Sequence, residues 1–250
     1  MVVLIFILAL LPGILWLWYV YKSDRFEPEP LGDVAIVFIC GFFAVLPTIL
    51  IELGLRMVFG LTGYATTIYE AIGSAWFIAG AVEEVIKFSV VLFVIYFNKE
   101  FDEPVDGIVY ASAAAVGFAS LENFFYMLRF GAHVILLRGP LSTLGHVVFS
   151  TLWGYGLGRG KFHPRIAKKL ALYGLLLAAL AHGAYNFLLI SPSVFGENIG
   201  IPLAFCVIPL TLFLWYVMHK HIKKSEAISP YNPHPEEDEL DKYDDMSETA

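Results

Sequence analysis

The stretch DVAIVFICGFFAVLPTILIELGLRMVF, residues 33–59, decides how the rest of this chain is read. It runs through aliphatic and aromatic side chains almost without interruption, and it exceeds the roughly 20 residues a helix needs to cross about 30 Å of hydrocarbon. Similar windows lie near residues 1–21, 169–190 and 200–219. Three more, near 71–97, 105–128 and 140–158, are as apolar apart from isolated Glu, Lys and His. The expectation is an all-α polytopic membrane protein of about seven transmembrane helices. Composition agrees, since 58% of the 250 residues are hydrophobic and 16% charged, against about 25% charged in a soluble domain.

The net charge of −7 is local rather than global. Residues 225–250 hold nine acids and one Lys, while the rest holds fifteen bases and fourteen acids. No basic face suggests a nucleic-acid partner; the partner the composition implies is the lipid bilayer. From Ser229 onward proline and acid dominate, and such a segment cannot bury enough apolar surface to fold. Its acids fit no EF-hand spacing. The chain thus divides into an N-terminal anchor helix and cytoplasmic linker (1–28), a multi-helix membrane core (29–222) and an acidic, disordered cytoplasmic tail (223–250). The first window lacks a basic n-region and an A-x-A cleavage signature, so a retained anchor is expected. Cys40 and Cys206 stand in separate apolar windows, far from any zinc-type spacing, and read as small buried hydrophobes. With the N-terminus outside, the inner segments carry eleven Lys and Arg, and the outer ones carry only Arg56, Arg129 and Arg138. That asymmetry predicts a multi-pass protein of the cell membrane with its C-terminus in the cytoplasm.

An ionisable group at the centre of a spanning helix costs about 2.5 to 3.5 kcal/mol on insertion scales. This chain carries several. Counting about 1.5 Å per residue from the outer edge of each window, Glu83 and Glu84 lie roughly 18 Å deep, His182 about 12 Å, and Glu122 and His146 about 9 Å. Four separate helices thus bring ionisable groups to overlapping depth, which predicts one shared intramembrane polar pocket. In GAVEEVIKF (80–88), Glu83 and Lys87 share a helical face while Glu84 points about 100° away. Glu122 could be a buried acid paired with Lys87 or Arg129. His146 could bond Thr143 or Ser150 one turn away. His182 and Asn186, at i and i+4, project together and could simply join helices.

Taken together, these groups can hydrolyse. A metal route would use His146, His182 and one Glu, for instance Glu122, as zinc ligands, leaving another Glu to deprotonate water. A metal-free route would use Glu83 as base on water, with a histidine and Asn186 donating to an oxyanion. In either case Glu84 and Lys87 would set the charge balance. Buried Glu, His and Lys also mark proton relays, so a proton-coupled transporter is the alternative, although no repeat with paired broken helices is visible. A non-catalytic scaffold glued by polar contacts is a third reading.

EEVIK (83–87), DGIVYASAAAVGFASLEN (106–123), His146 and HGAYN (182–186) together resemble the motif set of the PrsW family. These are bacterial intramembrane proteases related to CAAX prenyl proteases and bacteriocin-immunity membrane proteins. The resemblance spans roughly residues 30–220 and implies site residues Glu83, Glu84, Glu122, His146, His182 and Asn186. It also implies a single-pass membrane substrate, such as an anti-sigma factor, cut on the extracytoplasmic side. Where the CAAX relatives carry an FxxxH-like motif, this chain has Phe118 to Glu122, a carboxylate in place of a histidine.

Overall fold

The computed structural model describes residues 2–61 and 64–234. Among these residues there is no strand. The helices are α1 (Val2–Tyr21), α2 (Leu31–Phe59), α3 (Ile68–Ile72), α4 (Ala81–Val94), α5 (Asp106–Phe130), α6 (Ile135–Leu137), α7 (Leu144–Phe162), α8 (Ala167–Phe195), α9 (Glu197–Phe205) and α10 (Val207–Ala227). Six segments are long and apolar enough to cross a membrane: Val2–Tyr21, Leu31–Phe59, Asp106–Phe130, Ala132–Phe162, Ala167–Phe195 and Glu197–Ala227. The window at 71–97 forms a rod of similar length, α3 running through a π-helical stretch (Gly73–Gly80) into α4. It carries Glu70, Glu83, Glu84 and Lys87, so length and apolarity alone give six spans, and this charged rod is additional to them.

The bundle is organised around α5, which packs against α1, α2, α4 and α7. Its apolar window is 83% buried, whereas that of α1 is 11% buried and shows its side chains to lipid. The small residues of α5 let neighbouring backbones come close, which is how helices associate where lipid is as apolar as Leu. A methyl group built on Gly117 would lie 2.1 Å from the Phe38 carbonyl oxygen, and one on Gly107 would lie 2.2 Å from that of Gly154. The first window is therefore more than a tether. Gly13 of α1 seats against Val116, and Trp16 donates to the Gly139 carbonyl at 3.4 Å. Cys206, expected inside, is exposed where α9 meets α10.

Two π-helical stretches, Gly73–Gly80 and Arg138–Thr143, lead directly into α4 and α7. Such wide turns cluster at functional sites because they re-aim the side chains that follow.

At the other end of α5 the linker after α1 folds inward. Asp24 accepts the Glu29 amide at 3.2 Å, and both carboxyls are buried. Burial foremost, with the charge of neighbouring carboxyls adding, pushes Asp24 and Glu29 up to about 8. α10 continues to Ala227, through the start of the stretch assigned to the tail. Ser229 then donates to Glu103 and Tyr231 to Asp102, so the first residues past α10 are bonded to the loop before α5. The remainder of the expected disordered tail, residues 235–250, lies outside the described residues.

Candidate active site

Glu83 and Glu84 stand in the first turn of α4, where their 100° separation sends them to different surroundings. Glu84 is fully enclosed. Its Oε1 receives Lys87 Nζ at 2.6 Å and His182 Nδ1 at 2.9 Å, and its Oε2 receives Ser150 Oγ and Trp153 Nε1, both at 2.9 Å. Lys87, which periodicity puts on the face of Glu83, instead pairs at i+3 with Glu84. A buried carboxylate needs all its lone pairs answered, and only Glu84 points to where α7 and α8 supply the donors.

Glu83 is left with the opposite environment. Its Oε2 is buried and has no hydrogen-bond partner among the described residues. It lies 3.7 Å from His146 Nδ1 and 3.8 Å from His182 Nε2. The two imidazoles meet edge to face with centroids 5.1 Å apart. Ligand atoms of Glu83, His146 and His182 all fall within 4.8 Å of one another.

Each histidine has its far nitrogen fixed by an acid. Glu84 takes the Nδ1 side of His182, and Glu122 Oε2 lies 2.9 Å from His146 Nε2. A carboxylate accepts only, so these bonds put the protons on His182 Nδ1 and His146 Nε2 and leave lone pairs on the nitrogens facing Glu83. That is the outer-shell arrangement of metal-binding histidines. Lys87 donates to His146 Nδ1 at 3.2 Å, competing for that lone pair. The Thr143 and Ser150 contacts considered for His146 are absent, those hydroxyls serving Asn123 and Glu84.

Glu122, read from sequence as a ligand beside His146 and His182, is not in the converging trio. Arg138 holds it at 2.8 Å and also donates to Asn123 at 2.9 Å. Its basic partner is thus Arg138 of the π-helical stretch, rather than Lys87 or Arg129. Beside this cluster lies a cavity of about 620 Å³, lined by Glu52, Glu83, Glu122, His146, His182 and Asn186 among others. Arg56, Arg129 and Arg138 also line it. All the groups expected in one polar pocket are therefore together, five of them on the cavity wall and Glu84 directly behind. Glu52 was not anticipated. The same depth arithmetic places it about 10 Å from the outer edge of its window, so the signal was present.

Three oxygen and nitrogen donors beside a cavity are the set of an open metal centre or of a water-activating acid. A family profile described as PrsW family intramembrane metalloprotease matches residues 29–218. The chain belongs to the PrsW family. Protease PrsW of Geobacillus kaustophilus (strain HTA426) is 32% identical over 216 residues, 86% of this chain and 89% of its own length. Protease PrsW of Oceanobacillus iheyensis is 34% identical over 214 residues, covering 86% and 92%. That of Bacillus subtilis (strain 168) is 28% identical over 223 residues, covering 87% and 94%. No solved structure matches the chain. As a PrsW-family member this multi-pass membrane protein is a protease, and membership favours the hydrolytic reading over the carrier.

Proposed function

We propose that the protein cuts a single-pass membrane protein, of the anti-sigma-factor kind, near the outer edge of the bilayer, with Glu83, His146 and His182 holding a zinc ion. The observation that carries this is the orphaned, buried Oε2 of Glu83 between two imidazoles whose other nitrogens are already engaged by acids. A negative oxygen so enclosed is costly unless a cation answers it, and the trio suits zinc in donor type and spacing. Bound there, zinc would polarise a peptide carbonyl and acidify a water.

The chain's own groups do the rest. Glu84 and Glu122 orient the imidazoles, and Lys87 and Arg138 balance those two acids. With Glu83 engaged as ligand and Glu122 bonded to His146 and Arg138, Glu52 is the wall carboxylate left to take the water's proton. Asn186 lines the same cavity and can donate to the developing oxyanion. Extracytoplasmic cleavage is supported by the Lys and Arg asymmetry, which predicts an outer N-terminus, with Arg56, Arg129 and Arg138 lining the cavity.

The test is purified protein in detergent with a tagged single-pass substrate. Cleavage should vanish in Glu83→Gln and His182→Ala with melting preserved, vanish on chelation, and return with zinc. Full activity in a metal-free sample would instead make Glu83 the base of a metal-independent route.

A further inference from the structure

A second set of buried acids sits at the opposite end of α5, roughly 24 Å along the helix from Glu122. Asp24, Glu29, Glu103 and Asp106 are each at most 3% exposed. Their bonding follows one pattern. Asp24 Oδ2 accepts the Glu29 amide, Glu29 Oε2 the Tyr110 hydroxyl, Glu103 Oε2 the Ser229 hydroxyl, and Asp106 Oδ2 the amides of Asp102 and Glu103 at 2.7 Å each. In every case the other oxygen, Asp24 Oδ1, Glu29 Oε1, Glu103 Oε1 and Asp106 Oδ1, is buried without a partner.

One oxygen of each acid ties the chain together, and the other faces neighbouring carboxyls, with no donor among the described residues. These second oxygens are neighbours. Ligand atoms of Asp24, Glu103 and Asp106 lie within 4.8 Å of one another. Glu29, outside that trio, brings its carboxyl within hydrogen-bonding reach of Asp106, as Asp24 does with Glu103. No ion pair reaches any of the four among the described residues. Of the cations nearby, Arg25 pairs with Glu226 at 3.4 Å, and Lys161, held by the Tyr96 and Asn98 carbonyls, acts on Asp106 and Glu29 only through space. One cation acting through space cannot balance four buried acids, so they cannot all be ionised unless another cation joins them.

We propose that Asp24, Glu29, Glu103 and Asp106 bind a hard divalent cation of the Ca²⁺ and Mg²⁺ class. The donors are all oxygen, which selects hard ions over zinc. The ion ties the linker after α1, the loop before α5 and, through Ser229, the segment after α10 into one knot. Because Asp106 opens the helix that carries Glu122 and Asn123, this knot fixes the base of the rod that reaches the active site. The oxygens are shut from bulk water and Mg²⁺ sheds its waters reluctantly, so Ca²⁺ is the tighter of the two.

Full-length protein in detergent, stripped of divalent ions, is titrated with CaCl₂ and in parallel with MgCl₂ while its thermal midpoint is followed. The expected result is a saturable rise of about 5 °C, reached at lower concentration with Ca²⁺. Apparent affinity should weaken on the order of tenfold or more in Glu103→Gln and in Asp24→Asn. The Gln amide can donate to the neighbouring Asp24 carboxyl, so Glu103→Gln should fold even if Asp24→Asn does not. Glu83→Gln should keep the full response. No rise with either ion in the unmodified protein would overturn the site, as would a rise that survives in Glu103→Gln or disappears in Glu83→Gln.

Discussion

At one end of α5, Glu84 and Glu122 meet Lys87, Arg138 and two imidazoles; at the other, Asp106 meets Asp24, Glu29 and Glu103 with no basic side chain bonded to any of them among the described residues. The first group lies within spanning helices, where an unanswered charge has no water to turn to, so the fold itself supplies each counter-charge. The second is built from loops at the helix ends, next to an aqueous phase that can lend an ion. In both places the orphaned oxygens mark where something from outside the chain is expected to sit. At the membrane site they are Glu83 Oε2 and, on the cavity wall, Glu52 Oε1; at the loop site there is one on each of the four acids.

The sharpest way to break this comparison is to remove the orphan that lies between the two imidazoles. Glu83→Gln should lower substrate cleavage on the order of 10³-fold or more while the melt is retained, because nothing else in the fold leans on that oxygen. Retained cleavage would mean the orphan is incidental. Next comes the claim that the membrane end depends on its own counter-charges. Lys87→Met leaves Glu84 enclosed without its cation and should cost about 3 to 5 kcal/mol, read as a large fall in thermal midpoint. A milder effect is expected for Glu122→Gln, which keeps the shape but loses the charge orienting His146; metal affinity or turnover should fall roughly 10- to 100-fold. The smallest effect belongs to the loop end. Tyr110→Phe frees the second oxygen of Glu29 and should destabilise the ion-free protein by about 1 to 3 kcal/mol, less when Ca²⁺ is present. If the loss were equal in both conditions, Glu29 would not share a cation with its neighbours.

Much of the membrane end was legible in the sequence, because the cost of charge in hydrocarbon makes every Glu and His in an apolar window conspicuous. Glu83, Glu84, Glu122, His146, His182 and Asn186 were found that way and do converge. Partner choice was not legible. Whether Lys87 takes Glu83 or Glu84 depends on where α7 and α8 place Ser150, Trp153 and His182, which periodicity within α4 cannot reveal. Arg138 was counted only as an outer-loop charge, and the π-helical stretch that aims it at Glu122 has no sequence signature. The loop cluster was invisible for a different reason. Asp24 and Glu103 are far apart in sequence and sit among prolines and mixed charges, where acids are ordinarily solvated and draw no notice.

The wide turns that precede α4 and α7 have a bearing on how this scaffold tolerates change in length. A π-helical stretch carries slack that an α-helix lacks, so losing a single position within 73–80 could be taken up as ordinary winding without interrupting the rod. Azimuth would be nearly kept there, whereas the same deletion at Ala81 or Val82 of α4, which has no such slack, would turn everything downstream by about 100° relative to the rest. Glu83 and Glu84 are separated by just that angle, so one deletion there would trade the vacant carboxyl for the saturated one without altering either residue.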